Sequence, residues 1–167
     1  FLFEILTHLF LDAFNNYGVG WFEPFSEKRI SFNTIYVADP FFSIAPGICF
    51  GVLLFMKKKN PQRKRWAMAG LLIPIFYLGY ASINKLTIDL SVREMAKKQQ
   101  ISYNRYFTTP AVLNSWLWFI VLEDSSGYHV GYRSLFDKKK NLDLGYFPRN
   151  MELLEPVKDH IEVQLLK

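Results

Sequence analysis

Three ionisable residues interrupt an apolar segment at the beginning of the sequence. Glu4, His8 and Asp12 lie four residues apart within residues 1–14, FLFEILTHLFLDAF. In a helix, side chains at this spacing stack along one face and can act on a common partner. Histidine and carboxylate at i and i+4 can bind one metal ion. The spacing therefore predicts His8 and Asp12 as metal ligands with Glu4 as a candidate third, and leaves hydrogen bonding between helices as the alternative.

Asp39 is a further acidic candidate for the same site. It directly precedes Pro40 at the start of an apolar segment, and we expect it at the same end of the membrane helices as Asp12. Asp39 is predicted either to act as a ligand or catalytic base, or to cap a helix whose first residue is proline. His129 and His160 fall in a predicted soluble region and are expected to be ordinary surface or strand residues.

The sequence lacks the other common templates of enzymatic sites. It contains no Walker loop, serine nucleophile elbow, HExxH motif or pair of cysteines. The single cysteine, Cys49, lies in an apolar run, which predicts a buried hydrophobic side chain rather than a reactive thiol. The net charge of +5 does not indicate nucleic-acid binding, because six of the 20 basic residues lie within residues 57–65, between two apolar runs.

Two uncharged segments, residues 40–56 and 66–83, are predicted to span a membrane. Each approaches the roughly 30 Å thickness of the hydrocarbon layer as a helix, and Pro46 and Pro74 are tolerated in membrane helices. The basic loop 57–65 is expected to be cytoplasmic by the positive-inside rule, which puts the chain beyond residue 84 on the extracytoplasmic side. Two core helices of a soluble protein are the alternative.

The remaining segments complete the predicted fold, a membrane α-helical region followed by a small α+β extracytoplasmic domain. Residues 15–39 are predicted to form an ordered loop with aromatic residues at the membrane interface. The second span is expected to continue as a helix to about Gln99. Strands are predicted over residues 102–109, 115–122, 128–135 and 143–147, and a closing helix over 151–166. The predicted parts are the metal-motif helix and loop, 1–39; two transmembrane helices, 40–83; and the α+β domain, 84–167.

Several segments occur in an order that resembles a known family. They are THLFLD at 7–12, YGVGWFEPFSEKR at 17–29, FNTIYVADP at 32–40 and, in the soluble part, YNRYFTTP, LW, GYHVGYRSLFD and GYFPRN. This order resembles the YdjM-like inner-membrane metal-dependent hydrolases, thought to be distant relatives of zinc-dependent phospholipase C. THLFLD looks like the family's His-x-x-x-Asp metal motif, so the resemblance implies that His8 and Asp12 are metal ligands. Leu9 stands where the family usually has proline.

The resemblance also implies what the chain lacks. The family has an Asp-rich segment and a second histidine motif in an amino-terminal half that is absent here, and the sequence starts at Phe1 inside a helical pattern. We therefore expect a carboxy-terminal part of a larger protein, which alone would bind metal poorly and be inactive.

The function implied is that of a hydrolase in the bacterial inner membrane. The resemblance points to a divalent metal, zinc foremost, and to a phosphoester substrate, which can be lipid-linked. The expected partners are the lipid bilayer and that substrate, with no nucleic acid. The alternative is a non-catalytic membrane-anchored protein whose soluble domain binds an envelope partner. A transporter would require more spans and a broken helix near the midplane.

Overall fold

Three helices precede a four-stranded sheet. The computed structural model describes residues 1–138 and 141–150. Its elements are α1 (Leu2–Asp12), α2 (Pro40–Phe55), α3 (Arg63–Lys98), β1 (Arg105–Pro110), β2 (Leu117–Glu123), β3 (Gly127–Ser134) and β4 (Leu144–Pro148). The predicted helices and strands are confirmed in type and order. The predicted closing helix over 151–166, which includes His160, lies outside the described residues.

Helices α2 and α3 form a hairpin whose ends follow from local chemistry. Asp39 accepts hydrogen bonds from the first backbone N–H groups of α2, and Pro40 lacks only an N–H that would have no partner in the helix. At the other end of α2, the guanidinium of Arg63 donates to the carbonyls of Leu53 and Met56 at 2.8 and 2.7 Å. The turn between the two helices therefore satisfies carbonyls that the end of α2 leaves free.

The two helices approach closely at one glycine. A Cβ added at Gly70 of α3 would lie 3.0 Å from the Cβ of Cys49 on α2, which is closer than ordinary contact. The thiol of Cys49 is free and buried, as predicted. Glycine at position 70 thus allows the backbones of α2 and α3 to pack together.

Helix α3 has two halves with different surroundings. Its 36 residues include a segment long and apolar enough to cross a membrane. At about 1.5 Å per residue the whole helix is longer than the roughly 30 Å of a bilayer core. Its buried residues recur every three or four positions in the second half: Ala81, Asn84, Ile88, Val92 and Ala96. That stripe is the face on which the sheet packs.

The sheet is an antiparallel meander in the order β1-β2-β3-β4. Alternate residues of β2, Trp118, Ile120 and Leu122, are fully buried and pack against Ile88 and Val92 of α3. Every second residue of β2 faces α3 and packs against its buried stripe, and this contact forms the core.

Candidate metal centre

His8 and Asp12 lie side by side on the last turns of α1. The Nε2 atom of His8 is 3.3 Å from the Oδ2 atom of Asp12, and the two side chains are 77% and 43% exposed. A different face of α1, with Thr7, Phe10 and Leu11, borders an apolar cavity against α2 and α3. The predicted pair is therefore brought together on a helix face that points away from the helix hairpin.

The spacing of the pair suits a metal ion. Two ligand atoms that are each about 2.1 Å from one metal at a tetrahedral angle lie about 3.4 Å apart. The observed 3.3 Å is close to this value and longer than the 2.7–2.9 Å typical of a charge-assisted hydrogen bond. Imidazole nitrogen and carboxylate oxygen are both ordinary zinc ligands, so the two residues fit one edge of a zinc site.

Other ionisable groups do not join this pair within the described residues. Glu4 lies one turn earlier on α1, and its side chain is 80% exposed. No group of three or more His, Cys, Asp or Glu side chains that could hold a metal occurs in residues 1–138 and 141–150. His129 lies on β3, 3.7 Å from Asp124 and packed against the ring of Tyr146. At this position the described residues therefore offer two neighbouring ligands, His8 and Asp12, and a complete site needs others.

The loop after α1 folds back over the end of the helix. The indole Nε1 of Trp21 donates to the carbonyl of Leu9 at 3.1 Å, and the backbone N–H of Phe32 donates to the carbonyl of Ala13 at 2.7 Å. The ring of Trp21 also stacks on that of Phe10, at a centroid distance of 6.5 Å. These contacts satisfy carbonyls that the helix end leaves free and hold the turn that carries Asp12.

The loop is ordered by its own polar contacts. The side chain of Asn15 accepts from the backbone N–H groups of Tyr17 and Gly18, and Arg29 donates to the carbonyl of Gly18 at 2.8 Å. Gly18 has a φ of +69°, and a Cβ there would lie 2.9 Å from the carbonyl oxygen of Ile30. Only glycine fits this turn without strain.

Asp39 is a buried helix cap. Its Oδ1 accepts from the N–H groups of Phe41 and Phe42 at 2.9 and 3.3 Å, and the residue is only 1% exposed. The hydroxyl of Tyr77 on α3 lies 2.8 Å from its Oδ2. Of the two predicted roles, the cap is confirmed, and a role as ligand or base stays a prediction.

A network that the sequence did not reveal links Asp39 to the sheet. The hydroxyl of Tyr77 also lies 3.1 Å from the Oγ of Ser115, in the connection between β1 and β2. Next to it, the indole of Trp116 donates to the hydroxyl of Tyr80 at 2.9 Å, and the amide of Asn84 donates to the carbonyl of Ser115 at 3.2 Å. The signals for this network in the sequence were Tyr77 and Asn84, because polar side chains that are buried in a fold need hydrogen-bond partners.

Comparison with known proteins identifies the part of the chain that carries these features. The model of the YdjM inner membrane protein family matches residues 1–88, which is more than half of the 167 residues. The chain belongs to the YdjM inner membrane protein family. The match includes the His8–Asp12 pair, the loop, α2 and the whole uncharged segment of α3.

Membership in the YdjM family and the long apolar helix α3 together indicate a protein of the inner membrane. The family match ends within α3, so the four strands lie beyond it. No curated protein and no solved structure matches the chain. The candidate metal pair is thus part of the family region, whereas the sheet is not.

Proposed function

We propose that the full-length protein is a membrane-bound, metal-dependent hydrolase of a phosphoester, and that His8 and Asp12 bind its metal. The observation that carries this proposal is the 3.3 Å separation of the His8 Nε2 and Asp12 Oδ2 atoms on an exposed face of α1. Ionisable residues are costly in an apolar helix near lipid and by default face a polar site. A metal site accounts for both residues and for their spacing.

Each residue has a distinct role in this proposal. A bound divalent metal, with zinc the leading candidate, would supply a Lewis acid that acidifies water and polarises a phosphoryl oxygen. His8 holds it through Nε2 of a neutral imidazole, and Asp12 adds the negative charge of a carboxylate. Glu4, one turn away, supplies a further ligand or accepts a hydrogen bond from His8. Asp39 as a ligand or base would first have to give up its contact with Tyr77.

The substrate is proposed to be a phosphoester of a lipid. Support comes from the apolar character of α1, whose residues Leu2, Phe3 and Leu6 are exposed beside the polar stripe. We propose that such a helix lies at the membrane interface, with the His8–Asp12 pair close to lipid headgroups. The choice of phosphoester chemistry rests on the expected distant relation of the YdjM-like family to zinc-dependent phospholipase C and is an analogy between families.

Hydrolysis of a phosphodiester by the full-length protein tests the proposed reaction. Purified protein in detergent should hydrolyse bis(p-nitrophenyl) phosphate or a fluorescent phospholipid. The activity should disappear on treatment with a chelator and return when zinc or manganese is added. Activity that survives complete chelation, or no hydrolysis of either probe in metal-loaded protein, contradicts the proposal.

We further propose that the loop between α2 and α3 is cytoplasmic and that the sheet is extracytoplasmic. The basic side chains Lys57, Lys58 and Lys59 are exposed in this loop, where the positive-inside rule expects them. The His8–Asp12 pair and Asp39 would then lie toward the extracytoplasmic end of the helices.

Cysteine labelling tests this orientation. In a Cys49→Ala background, Ser125→Cys in the exposed turn between β2 and β3 should react with an impermeant maleimide in intact cells. Asn60→Cys should react only after the cells are opened. The reverse pattern would invert the proposed topology.

Non-catalytic binding of an envelope partner is the second candidate function. The observation that favours it is that no group of three or more side chains that could hold a metal occurs in residues 1–138 and 141–150. A full-length protein that binds no metal, yet retains a folded sheet, would support this function.

A further inference from the structure

The turn between α2 and α3 carries positive charge that the fold does not balance. Six basic residues lie within residues 57–65, here called the basic turn, and the sequence has no acidic residue between Asp39 and Asp89. None of the ion pairs among the described residues includes a side chain of the basic turn. Unbalanced charge of this kind attracts anions from outside the fold.

The structure concentrates this charge at one end of the helix hairpin. The guanidinium of Arg63 donates to the carbonyls of Leu53 and Met56 at 2.8 and 2.7 Å, which holds the start of α3 beside the end of α2. The other basic side chains of the turn are exposed: Lys57, Lys58, Lys59, Lys64 and Arg65. An anion at this end of the hairpin is therefore within reach of several cations, which donate charge-assisted hydrogen bonds.

The first turn of α3 adds to the attraction for an anion. The N-terminus of a helix carries a partial positive charge, which favours acidic residues in the first turn. The first turn of α3 has no acidic residue, and the side chain of the preceding Gln62 forms no capping hydrogen bond. Arg63, Lys64 and Arg65 stand there instead. The helix dipole and the side chains thus have the same sign, and an anion offsets both.

Exposed apolar side chains flank the basic turn. Phe55, the last residue of α2, is 92% exposed, and Met68 on the second turn of α3 is 48% exposed. A cationic end with apolar sides matches a phospholipid, whose anionic headgroup is joined to acyl chains. A nucleic acid or an acidic protein would match only the cations and would leave the apolar side chains in water.

We propose that the basic turn binds the headgroups of anionic phospholipids, whose acyl chains lie along Phe55 and Met68. The site is separate from the proposed hydrolase site, since Asp39 precedes the first residue of α2 and the basic turn follows the last. It requires only that the hairpin lies in the membrane, because headgroups occur on both surfaces. The binding therefore holds whether or not the protein hydrolyses a phosphoester.

Lipid retention by the purified full-length protein tests the proposal. The protein is mixed in detergent with equal amounts of phosphatidylglycerol and phosphatidylcholine and purified again, and the retained lipids are quantified by mass spectrometry. Phosphatidylglycerol should be preferred at least about tenfold, since each cation near an anionic lipid surface contributes about a factor of five. The preference should shrink in about 0.5 M sodium chloride, which screens charge.

Two outcomes of this measurement overturn the proposal. One is equal retention of the two lipids by the wild type at low salt. The other is a preference that glycerol phosphate abolishes whereas sodium chloride of the same ionic strength does not, which would assign the turn to a soluble phosphate.

Two variants with the same net charge show where the lipid binds. The first removes three cations of the basic turn: Lys57→Gln, Lys58→Gln and Lys59→Gln. The control removes three exposed cations elsewhere: Lys97→Gln, Lys98→Gln and Lys138→Gln. The first should lower the preference at least about fivefold, and the control should keep it. Arginine at positions 57–59 should also keep it, which separates loss of charge from loss of folding. An unchanged preference in the first variant, or an equal loss in both, overturns the proposal.

Discussion

His8→Ala in the full-length protein is expected to lower metal-dependent phosphodiester hydrolysis by about 10³-fold or more. The metal contributes several kcal/mol to transition-state stabilisation, and each 1.4 kcal/mol corresponds to about a factor of ten in rate. The imidazole of His8 is exposed and has Asp12 as its polar neighbour in the structure, so its loss should leave the fold intact. The measurement is kcat/KM for bis(p-nitrophenyl) phosphate at saturating zinc.

Glu4→Gln is the companion variant that tests the role of Glu4. It lies on the same stripe of α1, and its side chain is also exposed. If Glu4 only orients His8, the rate should fall about 10- to 100-fold, as is usual for groups that hold a metal ligand in place. Wild-type activity in His8→Ala would remove His8 from the reaction, whatever the effect of Glu4→Gln.

Asp89→Ala is expected to lower the free energy of unfolding by about 3 kcal/mol, because it leaves Lys85 buried without its counter-charge. The ammonium of Lys85 lies 3.1 Å from Asp89 and 2.9 Å from the carbonyl of Thr108, with the hydroxyl of Thr108 bonded to both side chains. The same ammonium lies 5.8 Å from the ring centre of Trp118. This cluster joins α3 to the sheet, so its loss should loosen the sheet from the helix.

The pH dependence of Asp89→Ala gives the same test a second readout. Burial lowers the pKa of Lys85, and the charge of Asp89 opposes that shift. Without Asp89 the pKa of folded Lys85 falls further, so the unfolded chain binds more protons between this pKa and the ordinary value of about 10.4. Stability should therefore rise with pH across that window, more steeply in the variant than in the wild type.

A double variant separates the buried charge from a simple loss of packing. Lys85→Met together with Asp89→Ala removes both charges and should recover most of the lost stability, since replacing a buried ion pair by apolar groups is often neutral. Thermal unfolding followed by circular dichroism measures both variants. A double variant less stable than Asp89→Ala alone would contradict the explanation that the unpaired buried charge of Lys85 causes the loss of stability.

Local patterns predict most of the fold. Uncharged runs predict α2, which begins at Pro40, and the apolar part of α3, and segments rich in aromatic and β-branched residues predict the strands. The continuation of α3 as a helix to Lys98 also follows from spacing. Its buried face, with Ile88 and Val92, does not, because Leu86 and Leu90 have the same helical spacing and are exposed. The predicted features depend on residues close together in the chain.

The candidate site is only partly predictable from sequence, for a physical reason. His8 and Asp12 lie four residues apart, so helical geometry alone brings them together. The contact of Tyr77 with Asp39 and Ser115 joins residues 38 positions apart in each direction. Periodicity contains no information about such contacts.

The most direct test is the metal content of the purified full-length protein, wild type beside a His8→Ala, Asp12→Ala double variant. Both are loaded with zinc, freed of excess metal and measured by elemental analysis. The proposed site predicts close to one metal per chain in the wild type and background metal in the double variant, with both proteins inserted in the membrane. Equal metal in the two proteins, or none in the wild type after loading, would contradict a metal site at His8 and Asp12.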